Sequence, residues 1–287
     1  MAENLRALRR KIKTVRSIEH ITRAMQFVAA AKLAKLQKRV AAGRDYAARL
    51  RELLRHVAAS APEVAHPYLT QREVKRVGLV LMAGDRGLAG AFNQQIMRAA
   101  EDFLAHAWAP VSVITVGAKA TGFAQRRGLE ILASYPVISE LGRSSPALEL
   151  ARQVRSFYDQ ETVDQVHVLY EDYQSVLRHR PQVEQFLPIP AESAGAAAVW
   201  GQYDYDPPPD QLLQVLLPQA LDAVIYQMAL GTATAEQAAR MTAMRAATDA
   251  AGDMITGLTR RLNRARQYGI TSEIMDVIGG ASAMGAV

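Results

Sequence analysis

Up to Val57 the chain offers nothing that would stop a helix: no proline occurs before Pro62, and the only glycine in that stretch is Gly43. Proline removes a helical hydrogen bond and glycine costs about 1 kcal/mol in a helix interior, so a segment with almost neither propagates unbroken. Leu5, Leu8, Ile12 and Val15 alternate three and four apart, and Leu33, Leu36, Val40, Gly43, Ala47, Leu50, Leu54 and Val57 do so again. That step is the seam of a coiled coil. Between Ile18 and Ala31 the apolar residues leave it, which predicts a locally altered supercoil there. At about 1.5 Å per residue, some 55 residues reach roughly 80 Å, well beyond the usual helix of a globular domain.

The far end of the chain repeats the pattern. After "DYDPPPD", the stretch from Gln211 to about Val277 has only Pro218, Gly231, Gly252, Gly257 and Gly269 as weak points. Met241, Met244, Thr248, Ala251, Ile255, Leu258, Leu262 and Ala265 keep the three-four step. Two such segments bury their seams most economically against each other, as an antiparallel coiled coil. Ala24, Ala29 to Ala31, Ala246, Ala247, Ala250 and Ala251 would let the helices approach closely. A membrane-surface helix is the poorer reading, because the apolar seam is narrow and has no aromatic face.

The middle follows another grammar. "VKRVGLVLMAG", "VSVITVG", "LEILASY" and "VDQVHVLY" read as strands. Ala91 to Ala105, Ala118 to Arg127 and "SSPALELARQVRSFYDQ" read as helices, and "QVEQFLPI" and "AAAVWGQYDY" as edge or hairpin strands. Alternation of this kind builds an α/β sheet with crossovers. The expected fold is therefore α/β: a long antiparallel coiled coil of N- and C-terminal helices with an inserted Rossmann-like α/β domain. The divisions are residues 1–58 for the first helix, 59–209 for the globular domain and 210–287 for the last helix.

Charge is unevenly placed along the chain. Fifteen Lys or Arg stand against four acids through Val57, while from Asp210 onward six arginines face seven acids. One arm is strongly basic, which suits an acidic partner surface. The run "RRKIKTVR" is open to three readings: a nucleic-acid surface, a solvated helix face, or a contact with acidic loops of a protein partner. It lacks a second basic helix or interleaved aromatics, which weakens the first. Arg260, Arg261, Arg264 and Arg266 form a second basic run. With no cysteine in the sequence, disulfides, thiolate metal sites and thiol chemistry are excluded. The start "MAENLRALRRKIKTVRSIEH" has no apolar core of a secretory signal, and no run of eighteen apolar residues follows. A cytoplasmic location is expected, compatible with a place beside a membrane.

Three constellations deserve a chemical reading beside the bland one. "GDRGLAG" carries Gly84, Asp85, Arg86, Gly87 and Gly90 after a strand. A dinucleotide fingerprint needs the closer G-x-G start and a triphosphate loop needs Gly-Lys-Ser/Thr, and neither is present. Asp85 would repel phosphate, so a structural or contact loop is the better reading. The six histidines form no H-E-x-x-H pair, so no metal is expected. Glu171 and Asp172 in "YEDY" are adjacent carboxylates at a strand end, but nothing near them supplies a nucleophile, metal or orienting cation. A protein contact or plain architecture fits them better. The strand-glycine-helix pattern leaves an independent α/β nucleotide-binding enzyme as one alternative, and the basic arm leaves a nucleic-acid-binding coiled coil as another.

Three stretches carry a resemblance: "IKTVRSIEHITRAMQFVAAAKL", "GDRGLAGAFN" and "RMTAMRAATDAAGDMITGLTRRLNRARQYGITSEIMDVIGGASAM". In this order, spanning essentially the whole chain, they resemble the gamma-subunit family of bacterial F-type ATP synthases. The resemblance implies a noncatalytic central shaft inside an alpha3beta3 hexamer. Its α/β body would meet the epsilon subunit and the ion-driven c-ring, with one gamma per complex. It would couple c-ring rotation to ATP synthesis or hydrolysis at the beta subunits. The implied location is the cytoplasmic face of the cell membrane, peripheral, with no insertion into the bilayer, no cofactor and no nucleic acid. By the same resemblance, Met25 matches a methionine facing an acidic loop of beta, and Arg240 an arginine functionally coupled to it. Arg266 and Gln267 match a pair that contacts beta's catch loop, and Thr271 and Glu273 match neighbouring coupling positions. Ala89 stands where the family turn has cysteine, and the cysteine-bearing insertion of plastid members is missing, so thiol-gated control is not expected.

Overall fold

In a computed structural model, the described residues are 5–60, 66–137, 145–190 and 208–284. Their elements run in the order α1 (Leu5–Ser60), β1 (Val77–Met82), α2 (Phe92–Ala105), β2 (Val111–Val116), α3 (Ala118–Arg126), β3 (Glu130–Tyr135), α4 (Ser145–Asp159), β4 (Gln165–Tyr173), β5 (His179–Leu187) and α5 (Pro209–Met284). The long terminal helices and the alternating α/β middle are those expected from the pattern. The strand anticipated in "AAAVWGQYDY", residues 196–205, lies outside the described residues. The helix α5 passes through Pro218 and all four of its suspected glycine weak points.

The chain divides into two compact units, one of Ala30–Arg240 and one of the residues before and after it. In the terminal unit the seam is continuous. On α1, Leu8, Thr22 and Ala29 are buried, and Ile12, Val15, Glu19 and Gln26 are partly buried. These positions keep the three-four step without a break, so the expected disturbance between Ile18 and Ala31 does not occur. The apolar residues that left the step, Ile18, Ile21, Phe27 and Val28, are instead 47% to 66% exposed. Periodicity in residue type misled because the buried face there is polar or small: Thr22 meets the hydroxyl of Thr248 at 2.8 Å. On α5, Met244, Thr248 and Ala251 are buried, with Met241, Ile255, Leu258, Leu262 and Ala265 partly so. Of the alanines expected to give close approach in this unit, only Ala29 and Ala251 are buried.

The other unit is built on one five-stranded sheet in the order β3-β2-β1-β4-β5. The pairs β1–β2, β1–β4 and β2–β3 are parallel, and β4–β5 is antiparallel. All six residues of β1, "VGLVLM", are buried, as a continuous apolar run demands of a central parallel strand covered on both faces. On one face Val80, Met82, Ile114, Val116, Val166 and Val168 pack with Leu150 and Val154 of α4 and with Leu213, Leu217, Leu221 and Ile225 of α5. Alternation sends Leu79 and Leu81 to the opposite face, where α2 and α3 lie against the sheet. A length of α5 is apolar enough by composition alone to cross a membrane. Of that length 39% is buried; within this unit residues 232–238 of α5, with Leu213, Leu217, Ile225 and Met228, are buried. Farther along, Leu36 and Val40 of α1 pack with Leu230 and Ala233 of α5, and Gln227 lies over Gly43. Rising numbers on α1 meet falling ones on α5, so the helices are antiparallel here.

Candidate functional site

The first half of the glycine loop is tied down by side chains that leave little for an anion. Asn93, in the first turn of α2, accepts from the Gly84 N–H through Oδ1 at 2.9 Å and donates through Nδ2 to the Arg86 carbonyl at 3.2 Å. Asp85 Oδ1 accepts from the Ala118 N–H at 2.8 Å. The Gly84 carbonyl accepts from the Lys119 N–H at 3.1 Å. A helix N-terminus is where backbone amides would hold a phosphate. At α3 that position is filled by the loop's own carboxylate. Leu88 has φ 65° and is exposed, Gly90 has φ 58°, and Ala89 is buried.

The ligand crevice of a doubly wound sheet lies at the carboxyl ends of the strands where the order reverses, here beside β1 and β4. In this chain α5 fills it. The Glu171 N–H donates to Thr232 Oγ1 at 3.0 Å. The Glu236 carboxylate packs directly on Gly84. The void left among Met82, Ala83, Val116, Ala233 and Glu236 holds only about 10 Å³, roughly the space of a single water. Among the described residues there is no group of three His, Asp or Glu that could hold a metal ion.

Glu171 and Asp172 do not work as a pair. Successive strand residues face opposite ways: Glu171 is wholly buried, while Asp172 accepts from Gln174 Nε2 at 2.9 Å among exposed groups. Glu171 Oε1 lies 2.7 Å from His179 Nδ1 across the β4–β5 hairpin, and Oε2 is buried without a partner. Burial pushes the Glu171 carboxyl up from the usual range, opposed by the hydrogen bond and charge of His179, while Asp172 adds to the rise. A folded-state value above the unfolded one means that the native state holds the proton more tightly. Its stabilising share is full below the ordinary glutamate range and is lost as pH rises through the raised value. Glu171→Gln should therefore flatten the fall in stability as pH rises above the ordinary glutamate range, measured as the urea midpoint at each pH. An unchanged slope would contradict it. The same hairpin is bolted to α1, where Gln37 Nε2 donates to the Tyr173 hydroxyl at 2.7 Å.

The remaining resemblance-derived positions lie in the terminal unit. Met25 is partly buried, while Arg266, Gln267, Thr271 and Glu273 are exposed. The Thr271 hydroxyl donates back to the Gln267 carbonyl at 2.9 Å. Every residue of α5 from Arg266 to Gly280 is exposed, including Ile270, Ile274, Met275, Val277 and Ile278. A helix this apolar, uncovered by the other described residues, calls for another surface against it.

A model of the ATP synthase family matches residues 4–284. An ATP synthase gamma chain from Heliobacterium modesticaldum is 42% identical over 288 aligned positions, covering 98% of this chain and 99% of the relative. The chain belongs to the ATP synthase gamma-chain family. A further gamma chain, from Moorella thermoacetica, is 41% identical with the same coverage of both. Among solved structures, the fold resembles a chain in the rotor of Euglena gracilis mitochondrial ATP synthase, with a TM-score of 0.65 and 16% identity over 93% of this chain and 98% of that one. It also resembles a chain in the central stalk and c-ring of Tetrahymena thermophila mitochondrial ATP synthase, with a TM-score of 0.60 and 22% identity over 79% of this chain and 99% of that one.

Of the positions this gamma chain was expected to use, the structure brings Arg240 to the glycine loop. Its Nη2 lies 2.7 Å from Glu236 Oε1 and 3.4 Å from the Gly87 carbonyl. Glu236 and Asn93 were not anticipated. The four-residue spacing of Glu236 and Arg240 on a helix was the signal available for the first. Nothing in the sequence pointed from Asp85 to α3, because that contact joins a loop to the start of a helix 33 residues away.

Proposed function

We propose that this chain is the central rotor shaft of an F-type ATP synthase, coupling ion-driven rotation of a c-ring to ATP synthesis or hydrolysis at beta subunits. The observation that carries the reading is the exposed apolar length of α5 from Arg266 to Gly280, on a chain of gamma-family sequence. Such a face needs a sleeve, and an alpha3beta3 hexamer supplies one. In this reading Met25, Arg266, Gln267, Thr271 and Glu273 touch beta, Arg240 is coupled to that contact, and epsilon and the c-ring meet the α/β unit. In the same reading the chain is noncatalytic, which the packing of Thr232 on the Glu171 N–H and of Glu236 on Gly84, at the place where a doubly wound sheet takes a nucleotide, supports. One copy serves each complex, at the cytoplasmic face of the cell membrane. Basic residues of α1 facing acidic loops would contribute little in salt, so packing and helix stiffness carry most of the load.

Co-expression with all the other subunits of the synthase tests this. The chain should co-purify at one copy per complex, and omitting it should abolish ATP-driven proton pumping. Recovery of a fully coupled complex without it would end the proposal. Calorimetric titration of the full chain with ATP, ADP or NAD should give no tight saturable isotherm; one that saturates in the micromolar range would restore the enzyme reading.

A further inference from the structure

We propose that Glu236 and Arg240 form a latch that fixes the glycine loop Gly84–Gly90 to α5, making Arg240 a positioning residue that acts on coupling through this loop. The latch itself is independent of the shaft reading; only its consequence for coupling rests on it. Glu236 is buried, and its Oε1 takes a charge-assisted bond from Arg240 Nη2 at 2.7 Å, one helical turn on. The Arg240 side chain is only 14% exposed, and the same nitrogen reaches the Gly87 carbonyl at 3.4 Å, a long contact that the firmer bond to Glu236 aims. A guanidinium already directed inward at a carboxylate and a carbonyl is not free to meet a partner's acid.

The loop is shaped to receive that carboxylate. A Cβ on Gly84 would stand 2.9 Å from Glu236 Oε1 and 3.1 Å from Asn93 Oδ1, so the absence of a side chain there lets α5 and α2 close on the loop together. The far side is pinned by Asp85 on the Ala118 amide. Held at these points, the loop carries Leu88 at φ 65° with its side chain exposed, beside exposed Arg86. A leucine in that region of φ is strained and persists only where the surroundings over-determine it. The latch therefore presents Arg86 and Leu88 outward in one fixed arrangement.

Two measurements separate the steps. In hydrogen exchange on the full chain, Arg240→Gln should speed exchange of the amides of residues 84–90 and of Ala118 by about tenfold, the loss of one charge-assisted bond. Amides of residues 244–255 should be unaffected. Arg240→Lys, which can keep the pair with Glu236, should restore most of the protection. In the assembled complex, protons pumped per ATP hydrolysed should fall in Arg240→Gln and recover in Arg240→Lys. Gly84→Ala, which leaves Arg240 in place and displaces the carboxylate, should loosen the loop and uncouple alike, and combining it with Arg240→Gln should add little. Unchanged exchange in Arg240→Gln overturns the latch. A loosened loop with normal coupling, or uncoupling in Arg240→Gln while Gly84→Ala loosens the loop yet pumps normally, overturns the positioning role. Failure of the wild-type chain to assemble counts against the shaft reading, and the exchange result still decides the latch.

Discussion

Gly117→Ala should destabilise the α/β unit by about 3 kcal/mol or more, while Gly128→Ala should cost only about 1 kcal/mol. Both glycines have positive φ, 94° and 64°, and both follow the grammar of a turn after a regular element. Their surroundings differ. A Cβ on Gly117 would lie 2.2 Å from the Ala83 carbonyl oxygen, whereas nothing lies within 4 Å of one on Gly128. Neither partner at Gly117 can retreat cheaply. The Ala83 N–H is bonded to the Val116 carbonyl at 2.9 Å and the Gly117 N–H to the Tyr135 carbonyl at 2.8 Å, so movement there breaks the ends of β1, β2 and β3 together. Gly128 pays only the conformational cost of an L-residue in the left-handed region. For a unit of this size each kcal/mol lowers the melting temperature by roughly 2–4 °C. Thermal unfolding should thus show Gly117→Ala melting some 6–12 °C below the parent and Gly128→Ala within about 4 °C of it. Equal shifts would mean that the backbone collision is relieved in a way the geometry does not suggest.

How much of this was legible in the sequence depended on whether local pattern and burial coincide. On α5 they do: all eight residues from Met241 to Ala265 that keep the three-four step are sheltered. On α1 between Ile18 and Ala31 they part company, because Thr22 is held by a hydroxyl partner and Ala29 by closeness of approach, neither of which registers as hydrophobicity. Phe27 and Val28 register strongly and face outward. The strands were readable because "VGLVLM" and "VSVITV" are short apolar runs between breakers. The second use of α5, as a layer over the sheet through Leu213, Leu217 and Ile225, was not, since a helix periodicity does not say what covers it. The glycine loop reads from its sequence as a structural or contact loop, and its ties, Asp85 to Ala118 and Glu236 to Gly84, are contacts across folded distance that a local pattern does not announce.

Asp164→Ala should cost about 3 kcal/mol and Asp164→Asn about half of that, because the carboxylate accepts from two backbone amides and is the charge partner of one guanidinium. Oδ2 accepts from the Lys75 and Arg76 N–H groups at 2.9 and 3.0 Å, and Oδ1 lies 3.2 Å from Arg72 Nε. In return the Asp164 N–H donates to the Arg76 carbonyl at 2.9 Å. These bonds join the residues immediately before β1 to those immediately before β4, next to the pair Val77↔Gln165 that begins their parallel register. A one-residue slip there would turn every side chain of a strand to the wrong face, so the knot secures the register of the two central strands. Arg72 also donates to the Tyr158 carbonyl at 2.9 Å and stacks 4.2 Å above the Tyr158 ring, leaving it largely sheltered once its carboxylate is removed. Asparagine can still accept from the two amides, while alanine strands both of them and removes the charge partner of Arg72. The diagnostic variant is Asp164→Ala with Arg72→Met. Methionine can keep the contact with the ring without a charge to desolvate, so the pair should cost less than the sum of the two single changes in urea unfolding. Strict additivity, or a single Asp164→Ala cost below about 1 kcal/mol, would show that the register of β1 and β4 is held by their apolar faces alone.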